Sequence, residues 1–590
     1  MGQTLTSAPK WQSRIVWAVV ASVVAFAVLR PILGAIGAGD LGPDDPYDDT
    51  MRLVQLRDWM GGQGWFDTDQ HRLGMDGTRM HWSRLVDVPI AGLALLLEPF
   101  VGEARALRLS ITIWPPVLGG VFMAVMIAAG RRFGGLAGML IGALGGAVLI
   151  TQMLAFLPGR IDHHNWQLIL MALATTALIV PARRMRTAGI VAGLSVALSL
   201  SIGPETLVYC GMLCAFVALE WGWTGARARA GGFGLTLAVT TALLFVVSIP
   251  PSRYGLGDCD QISYVHVMAA GAGGLGLFAL TQLASDRSRL FRLAGLGVLG
   301  VVAVILLGTF ASHCLANPLD SLPQPVTEYW LSEVGEARGF SDSDTPFAIR
   351  LLLIFGTAIA AGALLLWSLA TKPRISGTAM LLALLGVAAA FTAYQVRYSA
   401  SLWVFSALAI VVVLSRFARR DGTRAAAALA VLGAIALQPY HLAFPAGLML
   451  VASEDVAASE AGPQRCNFED AAAVLKDDEP RFVMAPYGAG PTILLNTPHR
   501  VLASNYHRGS DDIGRQIEIA TAPPAEALAM MRSSGIDRLV YCAFDAQIYT
   551  RRAPNGLHAA LGRGEPVAGL RAIGDAAVTD GVARVFAVEP

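Results

Sequence analysis

The chain has 590 residues, a mean hydropathy of +0.55 and only 15% charged residues. Soluble globular domains carry about a quarter, so a purely soluble protein is excluded. Basic and acidic residues number 44 and 43, a net charge of +1, which gives no electrostatic footprint for nucleic acid.

Apolar runs long enough to cross a hydrocarbon core predict about thirteen spans. They lie near 15–36, 107–128, 134–157, 167–182, 187–203, 206–223, 232–250, 264–283, 293–312, 347–369, 376–395, 398–415 and 425–445. The start "MGQTLTS" fits the myristoylation pattern but is read as chance, and the first run is long enough to span without a cleavable signal. The run "VPIAGLALLLEPFVG" at 88–102 is short and reads as an interfacial or re-entrant helix. Counting it as a span would reverse every later loop.

The arginines check the threading. Lys10 and Arg14, Arg131/Arg132, Arg183/Arg184/Arg186, Arg227/Arg229, Arg287/Arg289/Arg292, Lys372/Arg374 and Arg416/Arg419/Arg420/Arg424 fall in alternate loops. That alternation puts all of them on the cytoplasmic side. The outside then receives 37–106, 158–166, 251–263, 313–346 and the tail from about 446. The arginine- and alanine-rich style looks bacterial, so the membrane is expected to be a bacterial inner membrane and the outside the periplasm. In the tail, "RFVMAP", "RVLAS", "DRLVYC" and "ARVFAV" read as strands, with helical stretches at 468–476 and 524–534. The expected architecture is a polytopic α-helical membrane domain over 1–450, with external loops 37–106 and 313–346. A C-terminal α/β extracytoplasmic domain over 451–590 follows it. Cys466 and Cys542 share that domain, where a disulfide is chemically permitted; Cys259 and Cys314 sit in external loops and could also pair.

The external loops hold the unusual chemistry. Asp44, Asp45, Asp48 and Asp49 cluster before a helical stretch at 50–60, and such a cluster needs a cation, protonation or a helix dipole. In "LPGRIDHHNWQLI", Asp162 and His164 offer a hard oxygen and an imidazole nitrogen two residues apart, beside Arg160. The bland alternative is a polar turn in which Arg160 pairs with Asp162. "YWLSEVGEARGF" brings Glu333 and Glu336, and "YQVRYSASLW" brings Arg397, which either snorkels to the interface or grips a lipid phosphate.

These residues, in this order, resemble the catalytic subunit of oligosaccharyltransferase, and more broadly the GT-C class of membrane glycosyltransferases. The resemblance runs over most of the chain. It places Asp48 at the family's first-loop aspartate, with Asp49 and Asp45 as rivals. Asp162 and His164 match the Asp-x-His metal motif, Glu336 the Ser-Val-x-Glu-like motif, and Arg397 the donor-phosphate arginine. The family's Trp-Trp-Asp-Tyr-Gly motif, which reads the acceptor sequon, is replaced by "MAPYGAGPTILLNTPHRVLASNYHR". The tryptophans and the aspartate are missing, which leaves Tyr487 and His507 as acceptor-side candidates.

The resemblance implies a saccharide donor on a polyprenyl phosphate or pyrophosphate, and a lipid, lipopolysaccharide, polysaccharide or protein acceptor. It implies Mg²⁺ or Mn²⁺ on Asp162, His164 and Glu336, Arg397 with Arg160 on the donor phosphate, and Asp48 or Asp49 as base. The competing class is a transporter or flippase of lipid-linked saccharides; the nearly charge-free mid-span regions and absent internal repeats argue mildly against it. A subunit without chemistry is a third reading. The topology is testable: a periplasm-active reporter should be silent when fused at Gly231 and active when fused after Glu454. Silence at the second point would end this threading.

Overall fold

The computed structural model describes residues 10–45, 47–179, 185–315, 322–342, 346–371, 377–419, 422–437, 466–574 and 583–590. Among the described residues, nine helices are long and apolar enough to cross a membrane. Each expected span falls on a helix: the first on Lys10–Ala38, the second and third on Glu103–Gln152, the fourth on the shorter His164–Ile179, the last on Gly422–Leu437.

The 50-residue helix Glu103–Gln152 is two helices joined at Gly135, whose φ of 62° suits a residue without Cβ. Beyond it the chain doubles back. A Cβ on Gly130 would collide with the Gly138 carbonyl, one on Gly142 with the Met126 carbonyl, and Gly146 lies against Met123. Small residues thus let two apolar backbones approach where lipid offers no hydrophobic drive between helices. The helix Arg84–Val101 precedes this hairpin, ends at Gly102, and is not among the candidate spans. It buries Arg84, Asp87, Ile90 and Ala94 while Leu95, Leu96 and Phe100 stand exposed. That one-sided pattern is the one expected of a helix lying at an interface.

The chain divides into two compact units. The first comprises Met1–Gly42, Trp82–Ala316 and Arg338–Met449 and carries the apolar helices; the second comprises Pro43–His81, Asn317–Ala337 and Leu450–Pro590. The second is built on a five-stranded sheet ordered Arg500–Val501, Phe482–Met484, Arg538–Cys542, Ala583–Val588, Leu570–Ile573. The first three strands run parallel and the last two pair antiparallel. Its core takes Val326 and Trp330 from the 317–337 segment alongside Leu502, Ile513, Ile517, Leu539 and Tyr541. The 43–81 segment is held differently. Arg57 donates to the Leu494 and Leu495 carbonyls, and Arg72 to those of Leu494 and Thr497. These carbonyls end the helix Ala489–Asn496 and have no partner within it, so two guanidinium groups cap a helix C-terminus.

Both cysteine pairs are bonded. Cys259–Cys314 ties two loops of the first unit, Cα atoms 5.4 Å apart; Cys466–Cys542 anchors the start of the second unit's tail to its central strand at 6.1 Å. Removing such a crosslink costs roughly 2–5 kcal/mol. A Cys466→Ser/Cys542→Ser double variant should therefore unfold at a lower temperature in scanning fluorimetry. An unchanged Tm, with both thiols free on mass mapping of the unmodified protein, would contradict the bond.

Candidate active site

The Asp162 turn forms where the helix hairpin ends. A short 3-10 turn, Leu154–Phe156, leads to Gly159, whose φ of 82° turns the chain and whose N–H donates to the Ile111 carbonyl. The helix His164–Ile179 starts four residues after Arg160 has closed the loop. Asn165 Nδ2 fastens its first turn to the Arg160 carbonyl at 3.2 Å. Val86, Leu170 and Ile202, with Trp166 and Leu198 packed beside them, form an apolar floor in the same region.

Asp162 and His163 are buried, at 8% and 4% exposure, and each finds partners. His163 Nδ1 lies 2.6 Å from Asp162 Oδ1, and His163 Nε2 lies 3.1 Å from Glu205 Oε1. Burial by itself would lower the His163 pKa, but the two carboxylates hold it up, to about 10. Glu205 sits in the 3-10 turn Pro204–Thr206 between two apolar helices, and a Ser199–Thr206 hydroxyl pair at 2.7 Å steadies that turn. The other Glu205 oxygen, Oε2, accepts from Gln167 Nε2 at 2.5 Å; Gln167 Oε1 faces His164 Nδ1 at 3.2 Å; and His164 Nε2 faces Asp162 Oδ2 at 3.2 Å. Five side chains therefore close a ring: Asp162, His163, Glu205, Gln167, His164.

The ring fits a divalent cation at one edge. Asp162, His163 and His164 offer ligand atoms within 4.8 Å of one another. The His164 side chain is 40% exposed, against 10% for Asp162 and 5% for His163, so the way in passes His164. Two ligands on adjacent octahedral positions at about 2.1 Å stand roughly 3 Å apart, close to the separation of Asp162 Oδ2 from His164 Nε2. The histidines face both carboxylate oxygens of Asp162, His163 Nδ1 at Oδ1 and His164 Nε2 at Oδ2.

Arg397 lies in the 3-10 turn Val396–Tyr398, exposed, and among the described residues it has no hydrogen-bond or ion-pair partner. Tyr209 and Phe405 meet with ring centroids 5.1 Å apart. Tyr209 is one turn beyond Glu205, and Phe405 about two turns beyond Arg397. Glu205 and Arg397 thus occupy the same end of the first unit. Arg160, half-buried, is also in this unit.

The remaining candidates belong to the second unit. Asp48 and Asp49 occupy the first turn of the helix Asp48–Met60, where the helix dipole favours them; Asp49 is fully buried and Asp48 half-buried. Glu336 lies in the short turn Gly335–Ala337, and its side chain is outside the described residues. Tyr487 is held by Tyr549, hydroxyl to hydroxyl at 2.8 Å, and burial raises its pKa well above that of a free phenol. His507 opens a 3-10 turn, with its ring 5.2 Å from that of His81. Just before Tyr487, Met484 and Ala485 are buried at 1% and 3%. The two positions that the resemblance sets against tryptophans are therefore buried.

Sequence reading missed Glu205 and Gln167. Glu205 is a single glutamate at the start of an apolar run, 42 residues from His163; only its isolation at a span end marked it.

No family model matches the sequence, and no curated protein matches it. Solved structures do match. The oligosaccharyltransferase of Archaeoglobus fulgidus in its apo form aligns over 90% of this chain and 69% of its own, with a TM-score of 0.64 and 15% identity. The same archaeal protein with an inhibitory peptide and a dolichol-phosphate gives a TM-score of 0.61, 15% identity and coverages of 90% and 70%. With zinc and sulfate it gives 0.61, 14% identity and coverages of 95% and 72%. The arabinofuranosyltransferase AftD from Mycobacteria matches 99% of this chain and 40% of its own, with a TM-score of 0.50 and 15% identity. The likeness is one of fold: the chain has the architecture of GT-C membrane glycosyltransferases.

The buried imidazolium predicts a pH dependence. His163 has a folded pKa near 10 against 6.5 for a free imidazole. A raised pKa stabilises the folded protein fully below the free value and loses that contribution as pH rises through the folded one. In EDTA-treated protein, Tm should decline between pH 6.5 and 10, and part of that decline should vanish in His163→Gln. Identical slopes in the two proteins would contradict the assignment.

Proposed function

We propose that this protein is a membrane glycosyltransferase. It takes a sugar or oligosaccharide from a polyprenyl phosphate or pyrophosphate and transfers it to an acceptor at the external face of the membrane. One observation carries the reading: a GT-C fold places a ring of two carboxylates and two imidazoles, Asp162 to Glu205, at the same helix ends as an unpaired arginine, Arg397. A lipid-linked phosphate presents its charge at that depth of a membrane, and a transporter needs no such ligand pair.

The charge balance supports the same conclusion. Asp162 and Glu205 bring two carboxylates to the imidazoles at the edge of an apolar bundle, where carboxylates are costly unless they are paired. Asp162 and His164 would hold Mg²⁺ or Mn²⁺, since a carboxylate oxygen with one imidazole suits these ions. Glu336 is the proposed third ligand, by resemblance. The ion would supply electrostatic stabilisation of the negative charge developing on the departing phosphate.

The protein's own groups do the rest. Arg397 offers five N–H donors in a fixed fork and grips the donor phosphate in bidentate fashion, with Arg160 as a second cation nearby in sequence to Asp162. Asp48, with Asp49 as rival, orients the acceptor and takes its proton. The carbon–oxygen bond to the phosphate breaks as the acceptor bond forms, and the phosphate leaves on the lipid. Met484 and Ala485 in the sheet core cannot read an acceptor peptide, so a lipid, lipopolysaccharide or polysaccharide acceptor ranks with protein. The active face is periplasmic, the N-terminus is cytoplasmic and the membrane is a bacterial inner membrane in this account.

Donor turnover in detergent, followed as release of polyprenyl phosphate or pyrophosphate, tests the proposal. Asp162→Ala and EDTA should each lower it at least about a hundredfold, in the range of a lost electrostatic stabiliser. Arg397→Lys should impair it under limiting donor, because a point charge replaces a fork. Undiminished turnover in EDTA and in Asp162→Ala would overturn the metal, and full activity of Arg397→Lys would return Arg397 to an interfacial anchor.

A further inference from the structure

We infer that Glu205 and Gln167 are positioning residues that fix which atoms of Asp162 and His164 face the cation, an assignment that rests on reading that pair as metal ligands. The contacts of Gln167 fix the hydrogen on His164 Nδ1. Gln167 Nε2 faces two acceptors, Glu205 Oε2 at 2.5 Å and the Gly203 carbonyl at 3.2 Å. The amide must therefore donate through that nitrogen, and its oxygen must be the atom turned to His164 Nδ1. An amide oxygen only accepts, so His164 Nδ1 carries the hydrogen. The lone pair of the neutral ring is then on Nε2, the atom that faces Asp162 Oδ2. A flipped amide would reverse the tautomer and take the lone pair away from the ligand edge.

The other half of the ring works on Asp162. Both His163 nitrogens face carboxylate oxygens, so both donate. His163 Nδ1 engages Asp162 Oδ1, while Oδ2 faces Nε2 of the more exposed His164. Glu205 anchors both halves at once, Oε1 holding His163 and Oε2 holding Gln167. Its own place is set by Pro204–Thr206, 42 residues along the chain and on another helix end. Outer partners of this kind orient metal-binding imidazoles and raise affinity by about 10- to 100-fold. Gln167 is 2% exposed, so the brace is sheltered from water.

The test is Mn²⁺ titration of the purified full chain by electron paramagnetic resonance, with pulsed detection of imidazole nitrogen coupling and monodispersity checked for every variant. Glu205→Ala and Gln167→Leu should each weaken Mn²⁺ binding about 10- to 100-fold. Gln167→Leu, which spares the His163–Glu205 contact, should also lose nitrogen coupling. Glu205→Gln keeps one acceptor oxygen and should fall between wild type and Glu205→Ala. Wild-type affinity and coupling in both Glu205→Ala and Gln167→Leu would overturn the positioning role while leaving the metal reading intact. Absence of site-bound Mn²⁺ in the unmodified protein, equal to Asp162→Ala, would overturn the metal reading and this inference with it.

Discussion

Everything at the candidate site depends on keeping Asp162 charged while it is buried beside apolar helices. An isolated carboxylate there would be strongly disfavoured. His163 makes it tolerable, but an imidazolium between two carboxylates settles only half the account, since Glu205 must be satisfied as well. Gln167 does that from one turn inside its helix and passes the constraint on to His164. Removing any member leaves a buried polar atom unmatched, which is why the ring is better regarded as one unit than as five contacts.

Much of this was legible in the chain. Arginine parity and run length placed every span on a helix, because the bilayer imposes length on any element that crosses it. The break in Glu103–Gln152 was legible as two runs parted by Arg131 and Arg132, with Gly135 supplying the turn. In the tail, four strands were read from β-branched and aromatic runs. The strand Leu570–Ile573 was not, because "LRAI" is half exposed and carries no alternation of its own; its order comes from pairing with Ala583–Val588. The helix Ala489–Asn496 hides behind "GAGP" and is capped by arginines more than 400 residues away in sequence. Glu205 was hard to read for the same reason: its partners are set by packing, and beyond its isolation at a span end nothing local distinguishes "GPET" from a helix start.

The second unit shows how external loops are put to use. The segments 43–81 and 317–337 look in sequence like connections between spans, yet they are parts of a folded α/β body. Arg57 and Arg72 cap a helix end, and Trp330 fills the core beneath, its indole N–H 3.2 Å from Asn505. Asp48 and Asp49 are thereby carried on a helix with tertiary support and not on a loose loop. A carboxylate in the role proposed for Asp48 must stay within a fraction of an ångström of its working position, and this scaffold is suited to that demand.

The central claim is that the Asp162 ring and Arg397 serve a phosphate on a lipid. Native mass spectrometry of the full chain, released from detergent with undecaprenyl phosphate present, measures this most directly. The account predicts a one-to-one lipid-phosphate adduct on the unmodified protein that is lost in Arg397→Ala while the protein stays folded. A spectrum in which undecaprenyl phosphate binds no better than an uncharged lipid of equal chain length, or equally well to Arg397→Ala, would contradict it.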